Sequence, residues 1–211
     1  MKKCPLCTQD SLQKYFQDQQ RIYLQCKTCD LINVPAQYHL SPIDEKAQYD
    51  QHQNNPKDPG YRDFLSRVLS PLVKQVSHDS LGLDFGCGSG PTISHMANEH
   101  GIKVHNYDLY YFNQAELLER PYDFITMTEV IEHIADPCSL LIQLDSLLKQ
   151  GGLLAIMTKR VMNLQAFSNW HYKNDPTHIC FYSLETFRWI ALKFDWRLEI
   201  IAKDVVFFHK N

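Results

Sequence analysis

The stretch LDFGCGSG, residues 83–90, decides the fold of this chain. The pattern predicts a buried strand over residues 81–85, then a glycine loop, and then a helix that opens at about Pro91. Glycine lets the backbone turn sharply and lets a ligand approach without meeting a Cβ atom. The first N–H groups of the following helix then point towards that ligand. The stretch therefore indicates a ligand-binding turn at the edge of a sheet.

The spacing of the acid and the glycines distinguishes this loop from a dinucleotide-binding loop. Asp84, Gly86, Gly88 and Gly90 follow the pattern D-x-G-x-G-x-G. Dinucleotide-binding loops have the pattern G-x-G-x-x-G, so the third glycine comes one residue early here and an acid precedes the first. The Asp84 carboxylate can accept hydrogen bonds from a cationic or hydroxylic group. The loop alone leaves open a plain strand–helix turn in a doubly wound fold.

Composition sets the broad class of the protein. The chain has 211 residues, of which 44% are hydrophobic, enough for one sizeable α/β domain and a small appendage. A net charge of −3 argues against a basic nucleic-acid binder. No apolar run approaches about 18 residues and the start MKKCPLC lacks the apolar region of a signal peptide. We therefore expect a soluble, cytoplasmic protein with no membrane insertion.

Two C-x-x-C motifs stand near the beginning of the chain. Cys4 and Cys7 are separated from Cys26 and Cys29 by 18 intervening residues. Four thiolates at this separation suit tetrahedral Zn²⁺, and four protein ligands leave no open position, so we expect a structural zinc. The motifs predict a zinc ribbon over residues 1–36. Two redox dithiols are the alternative interpretation.

Residues 37–60 are polar and punctuated by prolines. Ser41, followed by Pro42, predicts the start of a helix that runs to about residue 51, with Tyr49 and His52 one turn apart at its end. One interpretation is a linker. We favour a lid over the ligand site, because a linker rarely needs a capped helix that carries aromatic residues.

The chain then alternates helices and strands. A helix is predicted over 61–76, and a strand over 103–107 that Asp108 closes. An acid at this point can accept hydrogen bonds from the two hydroxyls of a ribose, and Leu109 would line the same pocket. Only 13 residues separate Asp108 from the next strand, at 122–127. We expect a shortened sheet edge there, with one helical turn and a short strand near residues 117–118.

The segment EVIEHIADP, which begins at residue 129, follows that strand. Glu129, Glu132 and His133 are spaced i, i+3 and i+4, so we expect them to share one face of a short helix at the carboxyl edge of the sheet. The aromatic and polar segment 167–182, which contains His178, is predicted to cross the mouth of the site.

The remaining pattern completes the predicted fold. A helix is predicted over 137–149, a strand over 153–158, a helix that Ser183 caps, and two closing strands over 196–202 and 205–209. The fold class is α/β: a Rossmann-like, seven-stranded, mostly parallel sheet with a C-terminal antiparallel hairpin, preceded by the small zinc ribbon.

These motifs together resemble the class I S-adenosylmethionine (SAM)-dependent methyltransferases over residues 61–211, which would form the methyltransferase domain. The closest resemblance is to the branch that contains the ubiquinone-pathway O-methyltransferases. It implies that SAM is the cofactor, with the acid of the glycine motif facing the methionine ammonium group. The cofactor-binding residues that it implies are Asp84, Gly86, Cys87, Gly88, Gly90, Asp108, Leu109, Thr128 and Glu129.

The E-x-x-E-H pattern adds a second implication. Small-RNA 3′-terminal 2′-O-methyltransferases share it, together with a later histidine, and there two acids and two histidines hold a divalent cation. By this resemblance Glu129, Glu132, His133 and His178 would hold a second cation beside the zinc. The alternative is that the acids bond backbone groups beside the cofactor. His133 or His178 would then act as the catalytic base or be structural.

The sequence also indicates which class of acceptor would receive the methyl group. The charge balance favours a small-molecule acceptor over RNA, with O-methylation preferred. Two alternatives stay open: an RNA methyltransferase, and a non-catalytic SAM-binding module with a zinc ribbon, which the short third-strand region motivates.

Overall fold

Two β-sheets organise the described residues, 3–51 and 54–211, of the computed structural model. His52 lies outside these residues, so its predicted position beside Tyr49 is not described. The strands are β1 Leu12–Gln17, β2 Ile22–Cys26, β3 Ile32–Asn33, β4 Leu81–Phe85, β5 Lys103–Tyr107, β6 Tyr122–Thr128, β7 Leu148–Met157, β8 Cys180–Phe181, β9 Trp196–Ile200 and β10 Val205–Lys210. The α-helices are α1 Pro42–Tyr49, α2 Pro59–Leu72, α3 Thr92–Asn98, α4 Pro137–Leu147, α5 Leu164–Ser168 and α6 Leu184–Phe194.

The larger sheet has the order β5-β4-β6-β7-β10-β9. Strands β5, β4, β6 and β7 are parallel, whereas β10 runs antiparallel to both β7 and β9. This confirms the predicted Rossmann-like sheet with a closing antiparallel hairpin. Parallel order brings the carboxyl ends of β4, β5 and β6 to one edge, where open α/β sheets bind their ligands.

The sheet has six strands rather than the predicted seven. After β5, Asp108 and Phe112 form an isolated antiparallel bridge, and Ala115–Glu119 form a 3₁₀ helix. The predicted helical turn is therefore confirmed, and the short strand predicted near 117–118 is wrong. The physical reason is length, because 13 residues cannot supply a crossover and a further parallel strand.

Helices cover both faces of the large sheet. Alternate residues of β7 point to opposite faces, so Leu154 and Ile156 join one buried cluster and Ala155 and Met157 join another. The first cluster includes the apolar face of α4 and the second that of α2. Ser41 and Ser183 cap α1 and α6, as their positions in the sequence predicted. Among the described residues, the helices are all too short or too polar to cross a bilayer.

The smaller sheet has the order β1-β2-β3-β8 and is antiparallel throughout. Strands β1 to β3 belong to the predicted ribbon, but β8 comes from the segment that was predicted to cross the mouth of the site. Ile32 pairs with Phe181 and Asn33 with Cys180. The ribbon is thus joined by strand pairing to a distant part of the chain. The division into residues 1–36, 37–60 and 61–211 stays a prediction about segments of the chain.

Candidate functional site

A cavity of about 750 Å³ opens at the carboxyl edge of the large sheet. One part of its wall, which we call the glycine-loop end, contains Asp84, residues 86–89 and Asp108. Another part, the histidine end, contains His133 and His178. Of the residues predicted to bind the cofactor or to act in catalysis, Asp84, Gly86, Cys87, Gly88, Asp108, Leu109, Thr128, Glu129, His133 and His178 all line this cavity. Gly90 and Glu132 do not belong to the lining.

The glycine loop is held in place by the neighbouring strand. The backbone N–H groups of Gly86 and Cys87 donate to the carbonyl of Tyr107 at 2.8 and 3.2 Å. Gly86 has φ +77° and Gly88 has φ +65°, a region that favours glycine. A Cβ atom on Gly86 would lie 2.5 Å from a methyl carbon of Val130. A larger residue at position 86 would therefore disturb the protein's own packing, so it cannot serve as a selective probe of ligand contact.

Gly90 is covered by the chain that precedes α2. A Cβ atom on Gly90 would lie 1.7 Å from the backbone oxygen of Asn54. The structure therefore explains this glycine by the close approach of Asn54 and places it under that residue rather than in the cavity wall. Nothing in the sequence pattern identified Asn54 as the reason for the third glycine.

Asp84 lies at the end of β4 and is only 2% exposed. Its Oδ1 atom accepts a hydrogen bond from the Thr126 hydroxyl at 2.7 Å. Burial, and then the charge of Asp108, raise the pKa of Asp84 to about 7, against the opposing effect of the Thr126 hydrogen bond. A buried carboxylate in a cavity wall is costly unless it meets a donor or a cation, so this position suits a positively charged ligand group.

Backbone donors orient the Asp108 carboxylate. Its Oδ2 atom accepts from the Gly88 N–H at 3.0 Å, and Oδ1 accepts from the N–H groups of Tyr110 and Tyr111 at 2.8 and 3.1 Å. Each carboxylate oxygen has further lone pairs, so the fixed group can still accept from ligand hydroxyls. The neighbouring Leu109 side chain is 60% exposed and lies at the cavity, as predicted.

Helix α1 lies against both ends of the cavity. The Tyr110 hydroxyl donates to Glu45 Oε2 at 2.6 Å, and the Tyr111 hydroxyl donates to Asp50 Oδ1 at 2.7 Å. The Tyr49 ring meets the His133 ring edge to face, with 5.3 Å between centroids. These contacts place Glu45, Tyr49 and Asp50 beside residues of both ends, and the lid over 37–60 stays a prediction.

The local structure at the histidine end differs from the predicted helix face. Glu129 has φ +51°, and only Ile131–His133 form a turn of 3₁₀ helix. The i, i+3, i+4 helical argument is therefore wrong for this segment. Glu132, His133 and His178 nevertheless meet, with one ligand atom from each lying within 4.8 Å of the others. Glu129 is outside that cluster of three.

The Tyr172 hydroxyl contacts the carboxylates of both Glu129 and Glu132. No motif in the sequence marked Tyr172 as a site residue. Its hydroxyl bonds Glu132 Oε1, lies 3.1 Å from Glu129 Oε2 and lies 3.1 Å from the Thr158 hydroxyl. Burial, and then the charge of Glu132, raise the pKa of Glu129 to about 8. Burial raises the pKa of Glu132 to about 7 against the Tyr172 hydrogen bond. The high content of aromatic residues in segment 167–182 was the sequence signal that could have identified Tyr172.

Two carboxylate oxygens at this end remain unsatisfied. Glu129 Oε1 and Glu132 Oε2 are buried and have no hydrogen-bond partner among the described residues. Buried polar atoms are nearly always paired, so each of these oxygens indicates a place for a donor or a cation.

Backbone carbonyls orient both histidines. His178 Nδ1 lies 2.7 Å from the Tyr172 carbonyl, and His133 Nδ1 lies 3.2 Å from the Thr177 carbonyl. A carbonyl only accepts, so each Nδ1 carries the proton and each Nε2 is the basic nitrogen. The ring centroids are 4.7 Å apart. Burial, and then the charge of His133, lower the pKa of His178 to about 4, so this imidazole is neutral at pH 7.

The four cysteines of the ribbon form one buried cluster. Cys4 Sγ lies 3.5 Å from Cys29 Sγ, and Cys7 Sγ lies 3.4 Å from Cys26 Sγ. The closest pairs join one C-x-x-C motif to the other, which is the arrangement of a single four-thiol site rather than of two separate dithiols. All four ligand atoms lie within 4.8 Å of one another, and this donor set fits Zn²⁺.

Comparison with protein families gives one clear match. Residues 51–200 match the family model described as "Methyltransferase domain". A curated relative, the ubiquinone biosynthesis O-methyltransferase of Maricaulis maris, is 32% identical over 95 residues. That alignment covers 43% of this chain and 35% of the relative, so the chain spans about a third of the curated protein it matches.

Solved structures share the fold. A SAM-dependent methyltransferase from Archaeoglobus fulgidus aligns with a TM-score of 0.52 and 21% identity, over 65% of this chain and 71% of its own. The magnesium protoporphyrin IX methyltransferase of Synechocystis aligns with a TM-score of 0.53 and 14% identity, over 80% of this chain and 94% of its own. At these identities the likeness concerns the fold alone.

Proposed function

Because the chain belongs to the methyltransferase-domain family, we propose that it binds SAM in the cavity and transfers the methyl group to a small-molecule acceptor, with oxygen as the favoured acceptor atom. The observation that carries the proposal is the presence, in one cavity of about 750 Å³, of the glycine-loop end and the histidine end. A cavity of this size accommodates a cofactor and a small second reactant. The two ends offer the different chemistry that each reactant requires.

At the glycine-loop end, the proposed role of Asp84 is to pair with the methionine ammonium of SAM. Asp108 would accept hydrogen bonds from the ribose hydroxyls, because three backbone N–H groups already aim its carboxylate. Leu109 would pack against the adenosyl group. Gly86 and Gly88 give the ligand access to the backbone, while Thr128 and Glu129 continue the wall towards the second reactant.

At the histidine end, the proposed task is removal of the acceptor proton. SAM supplies an already activated methyl group, so the protein mainly positions the two reactants and takes the proton. The Nε2 atoms of His133 and His178 are the basic nitrogens at this end, since both Nδ1 atoms donate to carbonyls. Either imidazole is a candidate general base, because both His133 and His178 line the cavity.

A divalent cation fits the same end. Glu132, His133 and His178 present three ligand atoms within 4.8 Å of one another, and Glu132 Oε2 lacks a partner among the described residues. Imidazoles that donate Nδ1–H to carbonyls have the orientation found in metal-binding histidines. We propose that these three residues, with Glu129 beside them through Tyr172, hold a divalent cation. When it is bound, both histidines would be its ligands rather than the general base, and the cation would instead lower the pKa of an acceptor hydroxyl.

The proposal of a small-molecule acceptor rests on three observations. The chain carries a net charge of −3, and the cavity wall includes Glu45, Asp84, Asp108 and Asp175, a combination that disfavours a phosphate backbone. Helix α1 also covers the cavity, which suits a compact reactant. The matched relative is named as an O-methyltransferase of ubiquinone biosynthesis.

For the ribbon, we propose one structural Zn²⁺ held by Cys4, Cys7, Cys26 and Cys29. Donors already surround one sulfur: the Ser11 hydroxyl lies 3.0 Å from Cys26 Sγ, and the Thr28 N–H donates to it at 3.4 Å. Such donors stabilise a metal-bound thiolate.

The function is tested with methyl-labelled SAM. Purified protein is incubated with a small-molecule fraction and, separately, with an RNA fraction of cell extract, and S-adenosylhomocysteine affinity is measured by calorimetry. We expect label in the small-molecule fraction. Asp84→Asn should lower the affinity about 10–100-fold, since a buried charge-assisted contact is lost. Asp79→Asn, at an exposed position before β4, is the matched control.

Each other outcome has a distinct meaning. Label only in RNA would overturn the small-molecule acceptor and favour an RNA methyltransferase. Tight binding with no transfer to either fraction would favour the non-catalytic binding module. Absence of binding by the folded wild-type protein would refute the whole proposal.

A further inference from the structure

A buried arginine at the tip of the ribbon hairpin contacts the segment that carries His178. Arg21 lies in the turn between β1 and β2 and is only 6% exposed. Its guanidinium donates to the backbone carbonyls of Lys173, of Asp175 at 2.8 Å and of Pro176 at 3.3 Å. Charged side chains are rarely so buried unless they are paired. Here one planar group satisfies three carbonyls of a single segment.

The arginine belongs to a buried network of two cations, Arg21 and Lys173, around one carboxylate, Asp18. Its Nε donates to the Tyr23 hydroxyl at 3.0 Å, and that hydroxyl donates to Asp18 Oδ2 at 3.0 Å. Lys173, also 6% exposed, forms a salt bridge to the same Asp18 oxygen at 3.0 Å. Although burial opposes ionisation, the Arg21 backbone N–H and the Lys173 ammonium hold the pKa of Asp18 at about 2. Asp18 therefore stays ionised at neutral pH, and the network ties residues 18–23 to residues 173–176.

The tied segment lies between the two carbonyls that orient the histidines. The Tyr172 carbonyl, immediately before it, accepts from His178 Nδ1, and the Thr177 carbonyl, immediately after it, accepts from His133 Nδ1. The His178 N–H donates to the Asp175 carbonyl at 3.2 Å, and the Ile179 N–H donates to the Glu132 carbonyl at 2.9 Å. Displacement of residues 173–176 would therefore move the groups that set both imidazole orientations.

The four-thiol cluster lies at the opposite end of the same hairpin. Leu12 pairs with Cys26 near the cysteines, and Gln17 pairs with Ile22 beside the tip. Five residues of strand span roughly 16 Å. A metal at the base would therefore fix the direction in which Arg21 points, and the pairing of β3 with β8 adds a second attachment.

We propose that Arg21 is a positioning residue for the histidine end, and that the zinc ribbon acts as a strut which holds the His178 segment in place. The consequence for methyl transfer rests on the proposed function, whereas the structural role of the strut does not.

The test compares Arg21→Ala and Arg21→Lys with Lys14→Ala, a change at an exposed position of the same hairpin, where the ammonium bonds Gln17. Hydrogen exchange is followed in residues 3–33 and 172–180. Histidine tautomers are read from ¹⁵N spectra at one fixed pH, with His178→Gln and His133→Gln used for assignment. S-adenosylhomocysteine affinity is measured by calorimetry.

In Arg21→Ala we expect amide exchange in 172–180 to accelerate about tenfold or more, because bonds from a charged donor are lost. The His133 and His178 signals should shift from the Nδ1–H form towards a mixture. S-adenosylhomocysteine affinity and protection of 3–33 should not change. Arg21→Lys should rescue only partly, because an ammonium lacks the planar fork that serves three carbonyls. Methylguanidinium should restore protection in Arg21→Ala.

The results separate the two proposals. Unchanged exchange and tautomers in a folded Arg21→Ala protein would overturn the strut, whatever the protein binds. If Arg21→Ala unfolds the ribbon, the Arg21→Lys variant provides the test instead. Full exchange protection of residues 172–180 and wild-type histidine tautomers in Arg21→Lys would also overturn the strut. Failure of S-adenosylhomocysteine to bind the wild type would refute the proposed function and leave the exchange result valid.

Discussion

The two ends of the cavity are built in opposite ways. At the glycine-loop end, contiguous stretches supply the functional groups, and backbone N–H groups of the same loops hold Asp108. At the histidine end, Glu132, His133 and His178 come from two separate segments. A third segment, the ribbon, contacts residues 173–176 of the His178 segment through Arg21. The groups of the first end lie on loops that carry recognisable sequence motifs, although their contacts also cross between strands. The second end also depends on contacts with the ribbon. The predictions below separate them.

Zinc removal should have the largest effect on the structure, and within the cavity it should affect the histidine end only. A structural zinc contributes on the order of 10 kcal/mol to the folding of such a module. With the metal removed from Cys4, Cys7, Cys26 and Cys29, we expect residues 3–33 to lose exchange protection. Residues 172–180 should loosen as well, because they are attached to the ribbon. S-adenosylhomocysteine affinity should be retained, since none of residues 3–36 lines the glycine-loop end.

The control for zinc removal is addition of zinc to the stripped protein, which should restore protection in both segments. Freshly purified, reduced protein should contain one zinc per chain. Absence of zinc there, or an unaltered 172–180 segment after its removal, would contradict the long-range dependence of the histidine end.

Substitutions of the two glutamates should have a smaller effect, confined to the cation. Glu132→Gln should weaken Mn²⁺ binding about 10–100-fold, because it removes a ligand while keeping the side-chain shape. Glu129→Gln is the matched comparison and should weaken binding less, since Glu129 lies outside the cluster of three. Electron paramagnetic resonance measures the affinity of each variant. Equal effects of the two changes, or no Mn²⁺ binding by the wild type, would refute the proposed cation site.

The smallest expected effect is a pH dependence at the glycine-loop end. Burial raises the pKa of Asp84 to about 7 in the ligand-free protein. An ammonium ligand requires the ionised form, so S-adenosylhomocysteine affinity should rise about tenfold between roughly pH 5.5 and pH 7. The ligand amine stays protonated in this window, because α-amino groups titrate near 7.7–8.0. Calorimetry should show this slope in the wild type and none in Asp84→Asn.

The same group has a stability consequence of defined sign. The folded pKa of Asp84 exceeds its ordinary value of 3.8. The folded state therefore binds the proton more tightly, and this contribution, complete at low pH, is lost as pH rises towards about 7. The melting temperature of ligand-free wild type should accordingly fall relative to Asp84→Asn over that range. A rise in the melting temperature of the wild type relative to Asp84→Asn would show that the Asp84 carboxylate is already ionised and paired in the ligand-free protein.

Local pattern determined much of this protein. The glycine motif, the cap at Ser183 and the alternating helices and strands act within a few residues, so the Rossmann-like order, the closing hairpin and the position of Asp108 were predictable. The C-x-x-C spacing predicted the thiol cluster for the same reason, because metal-ligand geometry restricts sequence spacing. These features depend on short-range chemistry that a sequence displays directly.

Only the tertiary structure decided the rest. The cover of Asn54 over Gly90, the link of Tyr172 to both glutamates and the contact of Arg21 with residues 173–176 join groups that lie far apart in the chain. The helix predicted to carry Glu129, Glu132 and His133 is not formed, yet Glu132 and His133 still meet His178. Backbone turns and distant carbonyls orient these side chains instead. Long-range contacts of this kind leave no periodicity in the sequence. The sequence motifs therefore marked the glycine loop and Asp108, whereas the contacts of Asn54 with Gly90 and of Tyr172 with the glutamates required the assembled fold.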